Sequence, residues 1–168
     1  MKVTSAEAAK ILRKYNDDYA SLCGMEEQSK SFVAAVGEDI ETVRPQYDFL
    51  DTQKRKEELE AKIRRLKHEI NTFNLATKVP GLDMTIDEVL VLIPQLSRKQ
   101  SVLYNMKTVL PKTREEVRGV RSSIIDYRYA NYDIAEAEKE YDRVSELLAK
   151  AQTALDTVNT TVSFEITE

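Results

Sequence analysis

With 168 residues, four glycines and four prolines, 42% apolar and 32% charged side chains, the chain suits a single domain over 1–168 and has too few breakers for a turn-rich β protein. Its formal charge is -4, from 25 basic and 29 acidic residues mixed along the sequence, so there is no net attraction to nucleic acid or anionic lipid and only local basic patches remain to consider. Cys23 is the sole cysteine, which excludes an internal disulfide, and the longest uninterrupted apolar run, Val89 to Ile93, is far short of the ~20 residues of a bilayer span.

Met1 to Lys10 carries no apolar stretch of signal-peptide length, so the expectation is a cytoplasmic protein without a transmembrane segment. Thr4 and Glu7 then have the spacing of a capping box, ahead of Ala8, Leu12, Tyr15, Tyr19 and Leu22 on one helical stripe. A first helix is predicted over 5–23, stopping at Gly24. Phe32 to Val36 and Ile40 to Val43 flank Gly37-Glu38-Asp39, which predicts a short hairpin near 31–43.

Pro45 ends whatever precedes it, and no Pro or Gly follows until the turn at Pro80-Gly81. A second helix is predicted over 46–74, with Leu59, Ile63, Leu66, Ile70 and Phe73 repeating at the heptad period that keeps a seam facing a partner helix. Thr85 and Glu88 form another capping-box spacing, before Val89, Ile93, Leu96, Leu103, Met106 and Leu110. The third helix should cover 86–110 and be bent by more than ~20° or split at Pro94, which removes a backbone donor and crowds the preceding turn.

Between Pro111 and Asn131 the helical period is lost, and Ile125, Tyr127 and Tyr129 alternate with Asp126 and Arg128 as a half-exposed strand near 124–129 would. A fourth helix over 133–158 carries the strongest signal: Asp133 as cap with Glu136 behind it, then Ile134, Ala137, Tyr141, Val144, Leu148, Ala151, Leu155 and Val158 as consecutive seam positions. Val162, Phe164 and Ile166 alternate with polar residues, predicting a strand near 162–166. Ile70-Asn71-Thr72-Phe73-Asn74 and Leu155-Asp156-Thr157-Val158-Asn159 echo each other, as if both long helices stop on Asn. The second and fourth helices, having matching periods, are expected to pair with each other. The fold class is thus mainly α, an antiparallel bundle of long coiled-coil helices with short strands or hairpins at the helix ends.

No constellation for chemistry emerges, so no catalytic, cofactor-binding or metal-binding residue is assigned and no cofactor is expected. His68, the only histidine, falls opposite the seam of the second helix, and Arg65 three residues before it breaks the Glu-x-x-His pattern of helical di-iron sites. The glycines stand too far apart for a phosphate-cradling loop or dinucleotide fingerprint. Carboxylates such as Glu57, Glu58, Glu60, Glu136, Glu138 and Glu140 lie between seam positions and read as a solvated face. Two basic concentrations remain. Lys54, Arg55, Lys56, Lys62, Arg64, Arg65 and Lys67 lie on the second helix, and Arg114, Arg118, Arg121 and Arg128 lie near Tyr127 and Tyr129, both sets interleaved with acids that disfavour nucleic acid as a partner.

Gly37-Glu38 followed by a proline, Glu69-Ile70-Asn71-Thr72-Phe73-Asn74 with Thr77, Arg121-Ser122-Ser123-Ile124 before Tyr132-Asp133-Ile134, and a last helix ending at Asn159 together resemble an uncharacterised bacterial coiled-coil family labelled septicolysin-like, over most of the chain. The resemblance implies a helical coiled-coil protein with short strands that assembles into a symmetric homo-oligomer such as a hexamer, and it supplies no active site. The function expected is therefore a non-catalytic structural or interaction protein, not an enzyme, whose partner is itself. The alternatives are a nucleic-acid-binding assembly using the basic run of the second helix, and a membrane-active cytolysin of the kind the family label names. Nothing in the residues points to a small-molecule ligand.

Overall fold

The computed structural model describes residues 1–115 and 125–167. Its elements, in chain order, are β1 (Lys2–Thr4), α1 (Ser5–Ser29), α2 (Ile40–Val43), α3 (Phe49–Ala76), β2 (Lys78–Val79), β3 (Met84–Thr85), α4 (Ile86–Lys107), β4 (Lys112–Arg114), β5 (Tyr127–Tyr129), α5 (Ile134–Thr161) and β6 (Ser163–Glu165). The protein is mainly helical, and among the described residues its strands form three antiparallel pairs, β1 with β6, β2 with β3 and β4 with β5. Where length alone points to one domain, the contacts divide the chain into two compact units, Met1–Thr77 with Thr157–Glu168, and Lys78–Asp156.

Local chemistry sets the helix starts. The Thr4 backbone N–H donates to Glu7 Oε2 at 2.8 Å while the Glu7 N–H donates back to Thr4 Oγ1 at 3.3 Å, and Thr85 with Glu88 repeats the arrangement at 2.7 and 3.3 Å. Each box satisfies amide donors that a helix start otherwise leaves without partners. Asp48 caps α3 by accepting from the Asp51 N–H at 2.9 Å, and Asp133 caps α5 by accepting from the Ala135 N–H at 2.8 Å.

In the first unit, α1 and α3 run antiparallel. Val3, Ala8, Leu66 and Ile166 are its buried centre, with Ile11, Leu12, Tyr15, Ile70 and Phe164 packed around them. The β1–β6 ladder closes this unit: Val3 opposes Phe164, the Met1 ammonium donates to the Ile166 carbonyl at 2.7 Å, and the Ile166 N–H donates to the Met1 carbonyl at 2.8 Å. Phe164 stacks on Phe73 with ring centroids 4.4 Å apart.

In the second unit, α4 packs antiparallel on α5 through Leu96, Leu103, Val144 and Leu148. Gln100 donates to Ser145 Oγ at 2.8 Å, the Lys107 ammonium lies 3.9 Å from the Tyr141 ring, and the Tyr132 hydroxyl donates to the Met106 carbonyl at 2.8 Å. The predicted seam of α5 is the buried stripe: Ala137, Val144, Leu148, Ala151, Leu155 and Val158 are all buried. The β2–β3 hairpin turns at Pro80-Gly81 as predicted, with Gly81 at φ 79° and Asp83 at φ 52°, the left-handed region that glycine enters freely and aspartate tolerates.

Several expectations are corrected. No hairpin forms near 31–43; Gly37 (φ 90°) makes a turn and Asp39 caps a single helical turn, α2, by accepting from the Glu41 N–H at 3.1 Å. That local side-chain bond offers the backbone an alternative to a strand ladder. Gly24 does not stop α1, because its backbone is not left-handed and nothing lies within 4 Å of where a side chain would stand. Pro94 does not split α4, which runs as a continuous helix from Ile86 to Lys107. Leu90 and Pro94 are exposed, so water can take up the carbonyl that the missing N–H leaves free. α3 and α5 run on past Asn74 and Asn159, and α3 ends at Ala76, before an extended Thr77. Finally, the middle of each heptad seam is covered by a helix close in sequence, Leu66 and Ile70 of α3 by α1, and Tyr141, Val144 and Leu148 of α5 by α4, since pairing helices close in sequence shuts the shorter loop.

Candidate functional site

Of the basic run of α3, Lys56 is drawn into the packing against α1, while Lys54, Arg55, Lys62, Arg64, Arg65 and Lys67 are exposed. Lys56 donates to Glu26 of α1 at 2.6 Å, both side chains being only 17% exposed, and Arg55 and Arg64 lie 3.9 Å from Asp51 and Glu60. The ammonium groups of Lys56 and Lys62 approach the Tyr19 and Tyr15 rings of α1, each 5.9 Å from the centroid. Glu26 also accepts from the Tyr47 hydroxyl at 2.8 Å and from Gln53 Nε2 at 2.5 Å. The Lys56 and Tyr47 hydrogen bonds hold its carboxyl below the usual carboxylate range, and burial, reinforced by the Glu26 bond, pushes the Tyr47 phenol up. A carboxylate neutralised this way stays ionised and is poorly placed to carry protons.

A groove of about 360 Å³ beside this cluster is lined by Asp18, Glu58, Arg55 and Lys62 together with Leu22 and Leu59. Its two acids and two bases favour neither an anion nor a cation. In the second unit, a depression of about 470 Å³ at Pro94 is lined by Leu90, Ile93, Leu155, Gln152 and Asp156. His68 is exposed on α3, and Cys23 is half-buried on α1. Among the described residues no group of His, Cys, Asp and Glu side chains is placed to hold a metal ion, and no helix is long and apolar enough to cross a membrane.

The second basic concentration takes a more definite form. The β4–β5 register sets Lys112 opposite Tyr129, Thr113 opposite Arg128 and Arg114 opposite Tyr127. Because side chains alternate along a strand while cross-strand partners share a face, Lys112, Arg114, Tyr127 and Tyr129 stand on one face, and Thr113 and Arg128 on the other. The Lys112 ammonium confirms this, lying 4.0 Å from the Tyr127 centroid and 5.4 Å from that of Tyr129. On the opposite face Arg128 forks onto Glu115, with bonds of 2.8 and 2.7 Å that hold the carboxyl below its usual range. The predicted strand is thus present over Tyr127–Tyr129, with all four residues of the mixed face exposed. Arg118 and Arg121, the other members of this basic set, and the Arg121–Ile124 stretch of the resemblance lie outside the described residues. Lys112 escapes sequence reasoning, since its place beside the tyrosines depends on a pairing across a long connection that no local pattern announces.

No family model matches the chain, and no curated protein matches it. Among solved structures, the crystal structure of a functionally unknown conserved protein from Corynebacterium diphtheriae is similar, with a TM-score of 0.64 and 19% identity, covering 98% of this chain and 100% of that one. At that identity the likeness shows the fold alone, which the two proteins share over their whole lengths.

Proposed function

We propose that the protein is a non-catalytic interaction protein that acts as a cytoplasmic homo-oligomer, its long helices forming the coiled-coil scaffold of the assembly. The observation that carries this reading is the exposure of large apolar side chains where a monomer has no use for them. In and beside the connection between α1 and α3, Val33 is 93% exposed, Leu50 76% and Phe49 59%, and on α4 Val91 and Val102 are 56% and 58% exposed. Fully burying one such side chain is worth about 1.5–3 kcal/mol, so cover by another chain would stabilise each of them. A second copy presents the same surface, and closed symmetry satisfies it without open-ended growth. Resemblance to the septicolysin-like family, with a ring such as a hexamer, belongs to the same proposal.

Light scattering coupled to size exclusion tests it. At micromolar concentration the mass should be a multiple of 19.2 kDa, and Val33→Asp with Leu50→Glu should lower it while leaving helicity intact. A mass near 19.2 kDa that does not change on concentrating the sample overturns the proposal.

A further inference from the structure

We propose that the exposed Lys112–Arg114–Tyr127–Tyr129 face of the β4–β5 ribbon is a docking strip for single-stranded nucleic acid. The inference is independent of self-association and rests on how the ribbon sorts its charges. Both cations not engaged with a carboxylate of the ribbon, Lys112 and Arg114, share a face with both tyrosines, whereas Glu115 is held by Arg128 on the opposite face. Asp126 alternates with Tyr127 and so belongs to that opposite face as well. Among the described residues, this face of a chain with net charge -4 carries two cations and no carboxylate.

The rings fit the bases of such a strand as the cations fit its phosphates. Tyr127 and Tyr129 are two residues apart on one strand, so their rings repeat at about 6.8 Å, twice the ~3.4 Å rise between stacked bases of one strand. Two neighbouring bases drawn apart from their stack would each meet a ring, an arrangement closed to a duplex, whose bases are stacked inside. Tyr127 is 45% exposed and Tyr129 61% exposed, although Lys112 covers part of both. Stacking of this kind tolerates any base, so the strip should read backbone and ring spacing and show little sequence preference. The run on α3 offers no comparable strip, because Lys56 is tied to Glu26, Arg55 and Arg64 lie beside Asp51 and Glu60, and no aromatic residue stands between Lys54 and Lys67.

Fluorescence anisotropy of a labelled oligo-dT strand, titrated with the full chain, tests the proposal. Binding should be strongest near about 50 mM salt and weaken steeply towards about 200 mM as counterion release loses its drive. Removing one ring, as in Tyr127→Ala or Tyr129→Ala, should weaken it roughly 5- to 150-fold, since stacking is worth about 1–3 kcal/mol per base and 1.4 kcal/mol is tenfold. Tyr127→Phe with Tyr129→Phe should bind like the parent, and Lys112→Gln with Arg114→Gln should flatten the salt dependence. The proposal is overturned by no anisotropy change at low salt, by alanine variants of parental helicity that bind as well as the parent, or by a phenylalanine pair as weak as the alanine variants. Tighter binding to the matching duplex, or to vesicles containing phosphatidylserine, overturns it too; the latter would assign the face, with exposed Leu110 and Ile125 beside it, to lipid.

Discussion

Glu140 on α5 accepts from Lys99 of α4 at 2.6 Å and from Arg143 of its own helix with two bonds of 2.7 Å. The Arg143 bonds, followed by the Lys99 bond, draw its carboxyl from an ordinary 4.5 down to about 2. A carboxyl whose folded value lies below its unfolded one adds stability above the unfolded value and loses it as pH falls towards the folded value. The α4–α5 pair should therefore weaken between about pH 4.5 and pH 2, and Glu140→Gln should flatten that part of the profile. Urea midpoints measured across this range check the expectation, and parallel profiles for the parent and the variant would show that the clamp carries no stability. Residue spacing makes half of such a clamp legible: Glu140 with Arg143 can be read as a helix neighbour, whereas Lys99 cannot. The same limit hides Glu26 with Tyr47, Gln53 and Lys56, whose meeting depends on how two helices are set in register.

Elements with a strong local rule were legible. Two capping boxes, the Asp133 cap and the heptad seam of α5 stand where the sequence places them, because each rests on contacts within about one or two turns. Elements decided by competition were not. Near residue 40 an aspartate cap prevails over β propensity, Gly24 is carried through by the helix around it, and β1 is only three residues long, too short for an alternating pattern to register. The seam also yields a measure of packing. Leu148 is 8% exposed and clusters with Leu96, Leu103 and Val144, so Leu148→Ala should cost about 2–5 kcal/mol. Urea unfolding with less than half of the lower figure lost would show that the site collapses freely around the smaller side chain. At the candidate site, the tyrosine strand is legible from its alternation, but the partner strand that supplies Lys112 and Arg114 is not, since its register is fixed by pairing alone.

For the whole molecule, the division into two units bears on the order in which the protein is made. One unit is continuous in sequence, Lys78–Asp156, while the other needs both Met1–Thr77 and Thr157–Glu168. On a ribosome, the continuous unit has all its residues available before the last strand of the other has been synthesised, and α1 and α3 must wait without the closing partner of β1. Joining Met1 to Ile166 spans 165 positions, a closure whose entropic cost and delay grow with the loop it shuts. Newly made chains should accordingly hold a formed α4–α5 hairpin and an unsealed first unit, a stage at which Val3, Phe164 and Ile166 are without their cover. Pulse-labelled hydrogen exchange during refolding should show amides of α4, and of α5 as far as Asp156, protected ahead of those in the β1–β6 ladder. Protection of the ladder first would mean that β1 and β6 meet early and the intervening unit folds within an already closed loop.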